Sequence, residues 1–205
     1  MTLPKIAVTM GDPAGVGPEI CLRLLQDDEI SRLCTPVIFG SAAVLEQAAV
    51  QCRLAKPERV VAGLSEADSL CVLDIGAIGL GDFTTGTVNA ATGRAAFTYI
   101  EDAINAALSG QVSAVTTAPI NKEALHAAGI PFPGHTEIFA AKTHAPRSCM
   151  LQYSSEVRAV FVTTHVGYAE VPGLLNKVDP RRHRVGRTGH AAHPRRRTPD
   201  RCPWP

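Results

Sequence analysis

Apolar residues along the first part of the chain fall into short runs closed by glycine or proline, and these runs alternate with stretches of helical period. Lys5 to Met10 (KIAVTM) has strand character and stops at Gly11-Asp12-Pro13. Pro18 then opens PEICLRLL, a helical stretch through Leu25. A proline in the first turn of a helix costs nothing there, because its missing N–H would have no partner. Pro36 to Gly40 (PVIFG) repeats the strand pattern and Ala42 to Gln51 the helical one. Thr87 to Ser109 is the longest helical segment, with Ala91, Ala95, Phe97, Ile100, Ile104 and Leu108 on one stripe and Gly110 as the stop. Ala114 to Thr117 predicts a buried strand, and Asn121 to Ala128 a short helix closed by Gly129. Cys149 to Tyr153 and Arg158 to Thr164 predict two more strands. Strands alternating with helices point to an α/β fold on a mainly parallel sheet.

The pattern ends near Leu175. From Val178 onward the chain has five prolines and no Leu, Ile or Phe, so it cannot supply another strand and helix with an apolar face. Two regions are therefore expected: residues 1–176 as the α/β part, and residues 177–205 as a basic, disordered arginine- and proline-rich tail. Charge follows the same boundary. Lys177 and eight arginines against Asp179 and Asp200 give the tail +7, which leaves −6 on the rest of a chain whose net charge is +1. The tail has charge for phosphate contacts, but it has no interleaved aromatic residues and no nucleic-acid-reading module, so nucleic acid is not the expected partner. A basic run that begins so abruptly is what a GC-rich gene read out of frame would encode.

Composition adds limits. With 45% hydrophobic and 19% charged residues, a packed interior is expected. The first residues show no secretory leader and no window is apolar enough to span a membrane, so the expected location is the cytoplasm. The six cysteines form no C-x-x-C pair, so free and mostly buried thiols are expected rather than a metal ribbon or a disulfide framework.

Candidate chemistry sits at three places. The first is Gly11 to Glu19 (GDPAGVGPE), between a strand and a helix, where backbone N–H groups could meet an anion. Its glycine spacing matches neither a dinucleotide fingerprint nor a P-loop, a plain tight turn would explain it, and Asp12 is its only chemical actor. The second is Gly134-His135-Thr136-Glu137, ahead of IFAAKTHA. Thr136 is placed to cap that helix and Glu137 to favour its positive end, while His135 offers directional donors to an anionic substrate or serves a structural role. The third is His165, after a β-branched strand, where an open α/β sheet places ligands. A single histidine makes no metal site by itself. Lys122, at the start of its helix, is either a phosphate contact or a solvated lysine.

Together, VTMGDPAGVGPEI, TTAPINKEALHAAGIPFPGHTEIFA and AVFVTTHV, in this order, resemble the 4-hydroxythreonine-4-phosphate dehydrogenase family from about Lys5 to Leu175. The resemblance implies a three-layer, two-domain fold of the isocitrate and isopropylmalate dehydrogenase type, a homodimer, NAD or NADP, and a divalent metal such as zinc, magnesium or cobalt. It implies oxidation of the 3-hydroxyl of 4-phosphooxy-L-threonine, then loss of carbon dioxide from the β-keto acid, on the route to pyridoxal phosphate. A metal suits both steps: it acidifies the hydroxyl and then polarises the ketone. By motif, His135 and Thr136 match the substrate-contacting pair, and His165 matches the first of three metal histidines. Asp12 and Lys122 lie within family motifs as candidate catalytic residues without an assigned role.

The family continues well beyond this stretch and there supplies two further metal histidines and most of the nicotinamide pocket. His183, His190 and His193 lie in no family motif, so the resemblance implies an incomplete fold and a truncated, inactive chain. A bared sheet edge would favour aggregation or an altered oligomer. The alternatives are a dehydrogenase of D-threonate or D-erythronate 4-phosphate or of a cis-dihydrodiol, and a non-catalytic anion-binding fragment.

Overall fold

The apolar run after Pro4 forms β1 (Lys5–Thr9), which lies between β2 (Thr35–Gly40) and β5 (Ala114–Thr117). With β3 (Val60–Val61) and β4 (Cys71–Asp74) these make a five-stranded sheet of order β3-β4-β2-β1-β5, parallel throughout. The computed structural model describes residues 3–146, 148–161, 163 and 166–174. It divides after Met150 into two units, and the sheet belongs to the first.

Consecutive buried residues mark the inner strands. Val37, Ile38 and Phe39 of β2 are all sealed, as expected where helices cover both faces of a parallel sheet. Helices α1 (Gly17–Leu25), α2 (Asp28–Leu33) and α3 (Ala42–Cys52) connect strands that step away from β1 in one direction, and α1 packs on α3. Helix α4 (Ala90–Leu108) returns the chain across the sheet to β5 and packs on β1, β2 and β5. Right-handed crossovers running in opposite directions put α4 on the opposite face, which gives three layers. Ala95, Tyr99 and Ala103 of α4 enter the main core. Ile100 and Ile104 join a second cluster with Leu125 of α5 (Lys122–Ala127) and Ile138 of α6 (His135–Lys142).

The second unit contains β6 (Leu151–Tyr153) paired antiparallel with β7 (Arg158–Val160), and the single turn α7 (Val171–Leu174).

The α/β class and the parallel sheet are as the hydrophobic pattern predicts. Four details differ. β5, expected as a buried strand, alternates between exposed and half-buried residues. Leu108, counted on the buried stripe of α4, is 62% exposed, because it ends the helix just ahead of the Gly110 turn. The strand expected through Thr164 is paired only to Val160 among the described residues. Of the cysteines, Cys21 and Cys71 are buried, Cys34 and Cys52 are half-buried, and Cys149 is exposed. Burial pushes the Cys21 thiol up to about 12, so it stays protonated and unreactive. Cys202, the boundary at 176/177 and the basic tail lie outside the described residues. No described helix is long and apolar enough to cross a membrane.

Candidate functional site

In the strand order, β2 and β5 flank β1 on opposite sides although the chain reaches β2 first. The gap between the carboxyl ends of β1 and β5 is therefore a topological switch point, where open α/β sheets bind ligands. The Gly11–Asp12 loop leaves β1 at this place, and the Ala118–Asn121 turn leaves β5. The loops touch: the Asp12 N–H donates to Pro119 O over 3.0 Å. Gly11, at φ +74°, lies so close that a Cβ there would sit 2.3 Å from the same oxygen. Thr9, unremarkable in the sequence, ends β1 with a fully buried hydroxyl that has no hydrogen-bond partner among the described residues.

Asp12 is only 5% exposed, and its Oδ1 accepts from the Ala14 N–H at 2.9 Å. That is an Asx turn, in which the carboxylate holds the loop's shape. The peptide N–H of Gly15 closes the same turn onto Asp12 O, and the Gly86 N–H ties Ala14 O to the loop before α4. Lys122 is exposed at the first position of α5, directly after Asn121, whose Oδ1 caps the helix by accepting from Ala124 N–H at 3.0 Å. Thus Asp12 and the segment leading into Lys122 meet through Pro119.

His135 and Thr136 open α6, which joins α4 and α5 through Ile138. The expectation that Thr136 caps this helix is corrected: the helix starts at His135, the N-cap is Gly134, and no side chain caps it. Gly134 is fully extended, at φ 178° and ψ −173°, so the chain enters the helix at His135, one residue before the threonine. Thr136 thereby keeps its hydroxyl free of a capping bond, and the first-turn N–H groups keep their partial positive charge. Glu137 lies in the first turn, where that charge favours it.

His135 is half-buried, and its Nε2 is sealed from solvent without a hydrogen-bond partner among the described residues. Burial lowers its pKa below the ordinary 6.5. At neutral pH the ring is uncharged, with one nitrogen a donor and the other an acceptor. Because the folded pKa is depressed, the unfolded chain takes up the proton first as pH falls. The stabilisation tied to the neutral ring is present above about 6.5 and is lost as pH falls through the lower folded value. In a histidine NMR titration, His135 should have a midpoint below 6.5; a midpoint at or above 6.5 would contradict the burial.

His165 lies outside the described residues. Among the described residues, no three His, Cys, Asp or Glu side chains converge as metal ligands. The described residues thus do not fit a divalent metal by themselves, and the glycine loop lacks a dinucleotide spacing.

The family model described as "Pyridoxal phosphate biosynthetic protein PdxA" matches residues 32–190, reaching past the boundary expected at 176. The D-threonate 4-phosphate dehydrogenase of Cupriavidus necator is 36% identical over 202 residues, covering 94% of this chain and 60% of that protein. The 4-hydroxythreonine-4-phosphate dehydrogenase of Trichlorobacter lovleyi is 36% identical over 178 residues, covering 84% of this chain and 53% of that protein. A crystal structure of 4-hydroxythreonine-4-phosphate dehydrogenase from Klebsiella pneumoniae superposes with a TM-score of 0.77 at 36% identity, over 85% of this chain and 54% of that one. The chain spans little more than half the length of these relatives. On the match to well over half of its residues, and on a shared fold at the same level of identity, this chain belongs to the PdxA family of pyridoxal phosphate biosynthetic proteins.

Proposed function

We propose that the site opened by His135 and Thr136 binds the oxygen-rich end of a small phosphorylated hydroxy acid, as part of a dehydrogenase that oxidises a secondary hydroxyl. The observation that carries this reading is the buried Nε2 of His135, without a partner among the described residues, at the uncapped start of α6. A buried polar atom with no partner costs roughly 1–3 kcal/mol. Here a ligand oxygen supplies the missing bond. A neutral imidazole, a free threonine hydroxyl and first-turn N–H groups together offer directional donors to a phosphate or carboxylate without a fixed cation.

The substrate class comes from the relatives. Two of them are named for 4-hydroxythreonine 4-phosphate and D-threonate 4-phosphate, both four-carbon phosphorylated acids with a secondary hydroxyl. 4-Phosphooxy-L-threonine, oxidised and then decarboxylated on the way to pyridoxal phosphate, is the first candidate. D-Threonate 4-phosphate is the second, because the Cupriavidus relative matches over the larger share of this chain. The His135 ring and the Thr136 hydroxyl orient the substrate, Asp12 shapes the loop at the switch point, and Lys122 stands free for the phosphate. NAD or NADP, a divalent metal, His165 as one of its ligands and a homodimeric assembly are what the family resemblance implies. No described residue is assigned to the metal or the nicotinamide, and no step is derived through either.

The test is NADH or NADPH formation by the purified chain with each phosphorylated acid and added divalent metal, beside His135→Ala and His165→Ala. Turnover lost in both variants supports the reading. If a folded chain gives no turnover, isothermal titration with the same acids decides between a non-catalytic anion binder and no site. Binding weakened roughly tenfold by His135→Ala, equivalent to about 1.4 kcal/mol, identifies the binder. Binding that ignores His135 removes this site.

A further inference from the structure

Helix α6 carries both residues read as ligand contacts, yet its sequence gives it little to hold on by. His135, Ile138, Phe139 and Lys142 stand at i, i+3, i+4 and i+7, so they share one face of the helix. Among the described residues Ile138 is its one buried side chain, in the cluster with Ile100 and Ile104 of α4 and Leu125 of α5. A short helix pinned at one point near its middle can tilt about that point. At a rise of about 1.5 Å per residue, His135 lies roughly 4.5 Å before the pin and Lys142 roughly 6 Å after it, so movement at one end is returned at the other.

A second attachment holds the far end of the same face. The Lys142 ammonium pairs with the Glu101 carboxylate of α4 and lies 5.2 Å from the centre of the Phe97 ring, one turn earlier on α4. The two charged side chains are 37% and 33% exposed, which shields them from solvent more than Lys56 and Glu46, a pair at 60% and 53%. Phe97 also stacks on Phe132, with ring centroids 5.9 Å apart and planes at 18°. Phe132 belongs to the loop that enters α6, three residues before His135. One ring of α4 thus touches both the approach to α6 and its last residue.

We propose that Phe97 and Lys142 are positioning residues: the ring and the cation fix the tilt of α6 on α4, and so hold the His135 imidazole and the Thr136 hydroxyl where a ligand oxygen meets them. The inference rests on the reading of His135 and Thr136 as ligand contacts, and concerns how they are held. The sealed Nε2 of His135 supplies a readout that needs no ligand. Burial keeps its pKa below 6.5, so a tilt that lets water reach the ring raises the midpoint.

The test is a histidine NMR titration of the 205-residue chain and of Lys142→Met, Lys142→Arg and Phe97→Leu, beside isothermal titration with D-threonate 4-phosphate and 4-phosphooxy-L-threonine. In Lys142→Met and Phe97→Leu the His135 midpoint should rise toward 6.5, and the acid should bind roughly tenfold more weakly. Lys142→Arg should restore both, because a guanidinium keeps the ring contact and the ion pair. Phe97→Leu changes no charge, so a rise confined to Lys142→Met reports the lost cation alone and overturns the inference. An unmoved midpoint in both variants overturns it too, as does a rise that Lys142→Arg does not reverse. Lys56→Met removes a pair that involves neither α4 nor α6 and should change neither quantity; an equal change there would assign the effect to any lost surface charge and sink the inference. If the parent chain binds neither acid, the reading of the site fails, while the midpoints still decide whether Phe97 and Lys142 hold α6.

Discussion

Gly93→Ala should be among the most damaging single-methyl changes in this chain, costing roughly 3 kcal/mol. A Cβ at residue 93 would stand 2.0 Å from Ala124 O, 2.3 Å from Ala124 C and 2.7 Å from Leu125 N. Every one of these atoms is backbone, so no side-chain rotation relieves the clash. The helices α4 and α5 would have to separate, and with them the seam of Ile100, Ile104, Leu125 and Ile138. In a chain of this size that loss lowers the melting temperature by roughly 6–12 °C. Gly110→Ala is the control: at φ +73° it carries a backbone cost of about 1 kcal/mol, but nothing lies within 4 Å of its Cβ. Equal melting temperatures for the two variants would show that α4 and α5 do not meet at Gly93. Because α5 begins at Lys122 and α6 packs in the same seam, Gly93→Ala should also weaken ligand binding at His135.

The contrast between Gly93 and the periodic stripe of α4 shows what a sequence can carry. Ala95, Ile100 and Ile104 recur at helical spacing, and all are buried. Gly93 sits in the same helix, where glycine reads only as a weak helix former; its task depends on α5, about thirty residues later. Tyr99 lies off that stripe in the sequence. Its ring nevertheless fills the main core. The strands β3 and β4 and the helix α2 are too short to establish any period, with Val60–Val61 and CVLD held by neighbours distant in sequence.

At the site, the motif residues His135 and Thr136 were visible because their types are chemically unusual beside a helix start. Thr136's place inside the helix was not. Whether the cap falls on Gly134 or Thr136 depends on the backbone path after Pro133, and threonine is the stronger capping residue by preference alone. Asp12 likewise read as a chemical actor because it is the loop's one ionisable group before Glu19. Its bond to Ala14 N–H gives it a shaping task that the spacing D-x-A also allows.

Gly11→Ala tests whether the switch point is assembled as described, and its expected cost is roughly 2–4 kcal/mol. At φ +74° an L side chain is strained, and its Cβ would press on Pro119 O at 2.3 Å and on Ala118 C and O at 3.0 Å. The same carbonyl of Pro119 accepts the Asp12 N–H, so the methyl group breaks the bond that joins the two loops. Gly76→Ala separates the two causes, since Gly76 has φ +64° and open space around its Cβ. The backbone strain alone should lower its stability by about 1 kcal/mol. For Gly11→Ala, the part of the loss beyond that control measures the contact between loops. If that contact also sets where Lys122 stands, ligand affinity should fall further in Gly11→Ala than in Gly76→Ala when both are measured well below their melting temperatures. Equal affinities would separate Lys122 from the site and leave substrate recognition to α6 alone, with the β1 loop serving only to close the sheet.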